Sequence, residues 1–291
     1  MWLGLLSVAA AAVTWGTTGS VLELIGASSA VAPVVGAVRM LVAAPLLVAG
    51  ARLTGASLRP AGGGFAVAGL CMAGYQVCYF SAVPLAGVAA TAVLAICSAP
   101  ILVAVLARVV LQEPLTRLGV AATAVGVLGA GLLAGSAALE GGAGFLLGGA
   151  LALGAGLAYS LYVVVTRSAL TGTAPLGLSA LTFALAAIVL LPVLAVKPAA
   201  TAVVLARGWP LLLYLGAVPT AGAYWLYTAG LARLPAAVAA VAGLLEPLTA
   251  ALLGLALFQE PFGPLRALGA GLLLVAMGLL AVGTARGGAG G

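Results

Sequence analysis

Residues 111–115 read LQEPL, and residues 258–262 read FQEPF. The two segments lie 147 residues apart. The same shift, without gaps, sets Gly69 on Gly216, Phe80 on Tyr227, Ala82 on Ala229, Pro100 on Pro247, and GLLA at 131–134 on GLLA at 278–281. Alanines and leucines coincide by chance in a chain this rich in them, but Gln-Glu-Pro in register with a second matched pair of prolines does not. Self-similarity at a fixed spacing marks an internal duplication. The second half of the chain therefore repeats the first.

What is repeated follows from composition. Of 291 residues, 65% are hydrophobic and 5% charged, and the mean hydropathy is +1.32; soluble domains carry about 25% charged residues. A helix needs about 20 apolar residues to cross a bilayer core. Ten such runs are found, near 2–25, 31–51, 62–82, 86–110, 117–136, 144–166, 175–196, 209–230, 236–258 and 265–284. The expected organisation is a first five-helix repeat at 1–140, a second at 141–284, and a disordered tail at 285–291. The opening MWLGLLSVAAAAVTWG has no basic stretch ahead of its apolar run, as a signal peptide would, and reads as a retained first span.

Five spans per copy is an odd number, so the second copy must enter the membrane the other way up. Inverted repeats are an architecture by which secondary transporters present one midplane site to alternate sides. Orientation is read from the basic residues. Arg52, Arg59, Arg108, Arg117, Arg167, Arg233 and Arg286 fall on one side, Lys197, Arg207 and Arg266 on the other, and Arg39 within a span. That bias puts both termini in the cytoplasm. The fold class expected is thus an all-α membrane protein of ten transmembrane helices in two inverted five-helix repeats.

The charge inventory excludes several chemistries. Eleven Lys and Arg face five acids, all Glu, with no Asp and no His, which removes His-based metal sites, Ser/His/Asp triads and Asp-rich magnesium motifs. The basic residues are scattered one per loop, unlike a nucleic-acid footprint. Cys71, Cys78 and Cys97 lie in apolar runs, where Cys behaves as a small hydrophobe. No GxxxxGK[ST] phosphate loop occurs. No catalytic residue, metal or cofactor is expected.

Two stretches carry a family resemblance: YFSAVPLAGVAATAVLAICSAPILVAVLARVVLQEPLTRLGVAATAVGVLGAGLL in the first half, and LYLGAVPTAGAYWLYTAGLARLPAAVAAVAGLLEPLTAALLGLALFQEPFGPLRALGAGLLLVAMGLLA in the second. With their paired helix-Glu-Pro-helix pattern they resemble the EamA-type members of the drug/metabolite transporter superfamily, over nearly the full chain. The resemblance implies a central cavity lined mainly by helices 1, 3, 4, 6, 8 and 9, and export or exchange of small metabolites such as amino acids or other amphipathic solutes.

Glu246, in AGLLEPLTAALLGLAL, stands out among the candidate site residues. It sits about ten residues into the ninth span, roughly 14 Å deep in a core about 30 Å thick. Facing lipid there as an ion would cost on the order of 3 kcal/mol or more, so it must face protein or a wet cavity. Ala239, Gly243, Thr249 and Ala250 share its helical face, and Pro247 frees the Gly243 carbonyl from its helical bond. Pro100 matches Pro247, yet Ala99 stands where Glu246 would recur. A carboxylate in one copy only suggests a substrate-amine contact or a protonatable coupling group, with a structural hydrogen bond as the alternative.

Arg39 lies at a similar depth from the opposite face and could pair with Glu246, or be a structural arginine that snorkels or binds carbonyls. Glu23 fits either a cavity mouth or outer water. Trp15, Thr17, Gln76, Tyr79, Tyr159, Tyr162, Tyr224 and Trp225 lie inside their spans, away from the usual interfacial aromatic belt, and are candidate lining residues or core packing. Pro100, Pro247, Glu113 and Glu260 are candidate structural or gating residues. Each of those two Glu precedes a Pro near the start of a helix, where an acid complements the dipole, and the repeat places them on opposite faces.

The reading is a secondary transporter, expected to export a small metabolite across a bacterial inner membrane by alternating access, with a proton as a candidate coupling partner and a monomer or homodimer as its state. An uncoupled facilitator is the alternative. An intramembrane enzyme or a scaffold fits less well, for want of His and Asp and because each leaves Glu246 unexplained.

Overall fold

A computed structural model describes residues 1–25, 31–59, 62–134, 144–259 and 263–288, and among these there are helices and no strands. The helices are α1 (Trp2–Ile25), α2 (Ala32–Leu53), α3 (Gly64–Ala86), α4 (Val88–Val110), α5 (Arg117–Ala134), α6 (Phe145–Ala169), α7 (Pro175–Val196), α8 (Pro198–Gly216), α9 (Ala223–Leu231), α10 (Ala236–Ala242), α11 (Leu245–Phe258) and α12 (Pro264–Gly288). All backbone groups must be satisfied within the chain in an apolar medium, which leaves the helix as the spanning form for these runs. Prolines open α7, α8 and α12, where the missing N–H costs nothing.

Among the described residues, eight helical stretches are long and apolar enough to cross a membrane, counting Ala236–Phe258 as one, and a ninth arises if the pair Pro198–Ala206 and Gly208–Leu231, bent by 95°, is one span. The remaining run, α5, is shorter. Of the tail expected at 285–291, residues up to Gly288 continue α12 and 289–291 lie outside the described residues.

Two of the runs read as single spans are interrupted. The eighth continues from α8 through a π-helical turn, Ala217–Gly222, into α9. The ninth breaks between α10 and α11 at Gly243–Leu244. Its first-half counterpart, α4, runs unbroken through Pro100. One proline does not suffice to break the span; in the second half a glycine sits four residues ahead of it.

The repeat is visible in the backbone as well as in the residues. Gln112 and Gln259, the matched glutamines of the two Gln-Glu-Pro segments, are the two non-glycine residues with positive φ among the described residues, 56° and 53°. Each ends a helix in the left-handed conformation. The matched glycines make matched crossings: a Cβ on Gly69 of α3 would lie 2.9 Å from the Thr182 carbonyl oxygen of α7, and one on Gly216 of α8 would lie 3.2 Å from the Arg39 carbonyl oxygen of α2.

Helices α5 and α12 cross at a pair of glycines. A Cβ on Gly129 would stand 2.8 Å from the Gly269 carbonyl oxygen, and one on Gly269 would stand 2.7 Å from that of Gly129. Small residues let backbones approach in this way where water supplies no hydrophobic drive. Gly129→Leu should lower stability in detergent by about 1–3 kcal/mol, whereas Gly131→Leu, which meets nothing within 4 Å, should leave the thermal unfolding midpoint unchanged.

Candidate functional site

A cavity of about 690 Å³ enters the bundle from one end. Its mouth is formed by Gly19 and Glu23 near the end of α1, Ala32 at the start of α2, Val83 near the end of α3, Phe258 at the end of α11 and Arg266 at the start of α12. The opposite end holds the helix termini that carry Arg52, Arg108, Arg117 and Arg167.

Glu246 lines this cavity. It occupies the first turn of α11, just after the break. Its own amide donates to the Gly243 carbonyl at 3.0 Å, so the oxygen freed by Pro247 is taken up by a shorter turn rather than left bare. The carboxylate therefore sits in mid-span just after a tightened turn, and it accepts no hydrogen bond and makes no ion pair within 4 Å among the described residues. Of the face expected around it, Gly243 and Ala250 line the cavity, Ala239 is buried, and Thr249 packs on Gly16 of α1. Gly16 is needed there, since a Cβ would come within 2.7 Å of the Glu246 carbonyl oxygen.

Arg39 lines the same cavity from α2, a helix outside the lining set implied by the resemblance. It is 7% exposed. It does not pair with Glu246; its Nε donates to Thr220 Oγ1 at 3.0 Å, and that hydroxyl donates onward to the Leu215 carbonyl at 2.6 Å. Thr220 lies in the π-helical turn, a kind of irregularity found often at functional sites. The partner of Arg39, from 181 positions away, has no signal in the sequence.

The aromatic residues divide by depth. Trp15, Tyr75, Tyr79, Tyr159 and Tyr224 line the cavity, with Gln76 beside them. Their rings touch in sequence: Trp15 to Tyr224 at 4.9 Å, Tyr75 to Tyr159 at 5.7 Å and Tyr75 to Tyr79 at 5.6 Å between centroids. Beneath them Tyr162, Tyr227 and Phe183 are fully buried and close the floor, Phe183 lying 4.6 Å from Tyr224. Tyr162 thus supports the wall from behind. Thr17 is off the cavity, accepting from the Tyr214 hydroxyl at 3.0 Å and donating to the Thr14 carbonyl at 2.7 Å. Trp225 is 44% exposed on the outer surface, because the next residue on a helix is turned about 100° from Tyr224. Pro100 and Pro247 both line the cavity.

Glu113 does something other than cap its own helix. The left-handed Gln112 turns the chain, α5 begins only at Arg117, and the Glu113 carboxylate reaches elsewhere. Its Oε1 accepts from Arg167 Nε at 3.2 Å, near the end of α6, and its Oε2 accepts from the Ala236 amide at 2.7 Å, at the start of α10. One carboxylate thus joins the first half of the chain to two helices of the second, at the end of the bundle opposite the cavity mouth. Glu260 lies outside the described residues.

Among the described residues no group of His, Cys, Asp or Glu could hold a metal ion. Cys97 lines the cavity, and Cys71 and Cys78 do not.

The comparisons with known proteins agree with this architecture. A family model described as the EamA-like transporter family matches residues 2–135 and again 146–282. The chain is 32% identical over 286 residues to a protein of Bacillus subtilis (strain 168) named "Uncharacterized transporter YwfM", covering 96% of this chain and 93% of that one. A solved crystal structure, 18% identical, superposes with a TM-score of 0.83 over 97% of this chain and 98% of its own, which shows a shared fold.

In a Cys71→Ala/Cys78→Ala background, a membrane-impermeant thiol reagent should modify Cys97 when added on the side of the cavity mouth and not from the other side. Peptide mass mapping after labelling of oriented vesicles checks this.

Proposed function

We propose that this chain, which belongs to the EamA-like transporter family, is a secondary transporter that carries small amphipathic metabolites across a bacterial inner membrane by exposing the cavity to each side in turn. The observation that carries the reading is Glu246: a carboxylate in mid-span beside the turn at Gly243–Leu244, facing a cavity, with no hydrogen bond or ion pair within 4 Å among the described residues. A buried charge without a partner is costly. It is retained where a ligand amine or a proton supplies the partner, and ionisable residues within spans mark substrate paths and proton relays.

In this reading the ten runs form two inverted five-helix repeats with both termini cytoplasmic, supported by the matched Gln-Glu-Pro turns and the matched glycine crossings. The basic helix ends then face the cytoplasm. The mouth opens outward, and Glu113 with Arg167 and the Ala236 amide latches the cytoplasmic side shut. Closing the mouth and opening the other end requires breaking two charge-assisted hydrogen bonds, which are about twice as strong as neutral ones. Export follows if the solute loads when that latch is open and leaves through the mouth.

The test is uptake and counterflow in proteoliposomes across a panel of labelled amino acids and amines, with and without an imposed pH gradient. Transport driven by the gradient in the native chain and uncoupled from it in Glu246→Gln is the outcome expected of a proton-coupled carrier. Transport blind to the gradient and weakened by Glu246→Gln for amine-bearing solutes makes the chain a facilitator. A variant equal to native in all conditions removes Glu246 from the mechanism.

The latch has its own readout. Glu113→Gln keeps the shape of the side chain and removes its charge, so labelling of Cys97 from the cytoplasmic side should rise severalfold while labelling from the mouth falls. Unchanged labelling from both sides would reduce Glu113 to a structural contact.

A further inference from the structure

We infer that a second cavity, at the end of the bundle opposite the mouth, binds the phosphate of an anionic membrane phospholipid. It lies apart from the cavity of Glu246 and needs no part of the transport reading. The second cavity measures about 300 Å³ and sits where the starts of α3 and α7 meet the ends of α4 and α6. Its floor is apolar: Val164 and Leu178 are 2% and 1% exposed, with Phe65 and Val165 beside them. Its rim is exposed, formed by Gly62, Val110, Ser168 and Thr171.

Two independent sets of donors point to an anion. Helix α3 starts after a glycine with no side-chain cap, and the amides of Gly64 and Phe65, both lining the cavity, make no hydrogen bond among the described residues. Free amides and the helix dipole together favour an anion at such a start. A Cβ on Gly64 would lie 2.8 Å from the Ala169 Cβ, whereas one on Gly62 or Gly63 would meet nothing within 4 Å, so the turn is seated on α6 with free space beside the glycines that precede it. The second donor is the Thr173 hydroxyl. Thr173 lines the cavity at 8% exposure; its amide donates to the Leu170 carbonyl at 3.4 Å, and its hydroxyl makes no hydrogen bond among the described residues. A buried hydroxyl without a partner is costly. No carboxylate is among the lining residues, and Glu113, three residues past Val110, is committed to Arg167 and the Ala236 amide. A headgroup amine therefore finds no counter-charge here, and an anionic headgroup meets no repulsion.

Depth and the apolar floor assign the anion to a lipid. Helix α6 has 25 residues and so spans roughly 38 Å, against a hydrocarbon core of about 30 Å. Its last turn, with Ser168 on the cavity rim, stands at headgroup level. Pockets between helix ends at that level hold anionic headgroups. The floor under Thr173 then receives the first carbons of an acyl chain, which a soluble phosphate would leave wet.

The experiment is native mass spectrometry of the full-length chain in detergent, with phosphatidylglycerol and phosphatidylcholine of identical acyl chains supplied in equal amounts. One phosphatidylglycerol should be retained at least about tenfold in preference to phosphatidylcholine, and Thr173→Val should weaken that binding about tenfold, the loss of one hydrogen bond to a charged group, without changing the retention of phosphatidylcholine. A phosphatidylglycerol with a diazirine near the head of its acyl chain should cross-link to the native chain at Phe65, Val110, Val165 or Leu178. Cross-linking needs no variant, so a Thr173→Val chain that fails to fold does not spare the idea. Equal retention of the two lipids, a preference that folded Thr173→Val leaves intact, or cross-links confined to other residues would each overturn the inference. Displacement of the lipid by an equal concentration of glycerol 3-phosphate overturns it as well, since the cavity then takes a soluble phosphate ester. Each of these outcomes leaves the transport reading standing.

Discussion

An apolar medium offers a backbone no hydrogen bonds, and every other feature of this protein is arranged around that constraint. Helices satisfy it locally, which is why 65% hydrophobic composition yields an all-helical bundle. Irregular backbone is tolerated only where protein or a wet cavity surrounds it. The two interruptions inside expected spans, the π-helical turn at Ala217–Gly222 and the break at Gly243–Leu244, both obey the rule. Each also holds a polar group of the site: Thr220, which anchors Arg39, and Glu246 itself. The places where the helical pattern fails are the places where chemistry is available.

Close packing makes those departures possible. With little hydrophobic drive between helices in lipid, association depends on backbone approach at small residues. Gly16, Gly69, Gly129, Gly216 and Gly269 each stand where a Cβ would press on a neighbouring backbone carbonyl. Gly16 matters most for the site, since it sets α1 against the first turn of α11 and so holds the broken helix end, with its carboxylate, against the cavity. Gly216 has the parallel duty of seating α2 beside the π-helical turn. The packing glycines and the cavity charges belong to one arrangement.

The polar contacts at the two ends of the bundle are unequal. At one end Glu23 and Arg266 line the cavity. The other is tied by Glu113 to Arg167 and to the Ala236 amide. The duplicated Gln-Glu-Pro segment supplies the same left-handed turn in both copies, and in the first copy that turn aims a carboxylate across to the other repeat. Duplication thus gave both copies the same turn, and in the first copy the carboxylate beside it links two helices of the second half.

The sequence by itself determined the class of the molecule, the helical runs, the internal repeat, and the singular position of Glu246. These are properties of composition, period and spacing, which act locally or recur at a fixed shift, and so can be read along a line. It also pointed to Trp15, Gln76, Tyr79, Tyr159 and Tyr224 as lining residues, because polar and aromatic groups deep in a span need a reason to be there. It did not distinguish Tyr224 from Trp225, neighbours that the helix turns about 100° apart, nor place Thr17 and Tyr162 off the cavity. Only the tertiary structure decided that Arg39 binds Thr220 instead of Glu246, that Glu113 caps a helix of the other repeat, and that the second Pro-containing span breaks while the first does not. Those outcomes depend on which distant groups the packed helices bring within 3 Å of each other, and a hydrogen bond between residues 181 positions apart leaves no periodic trace in the chain.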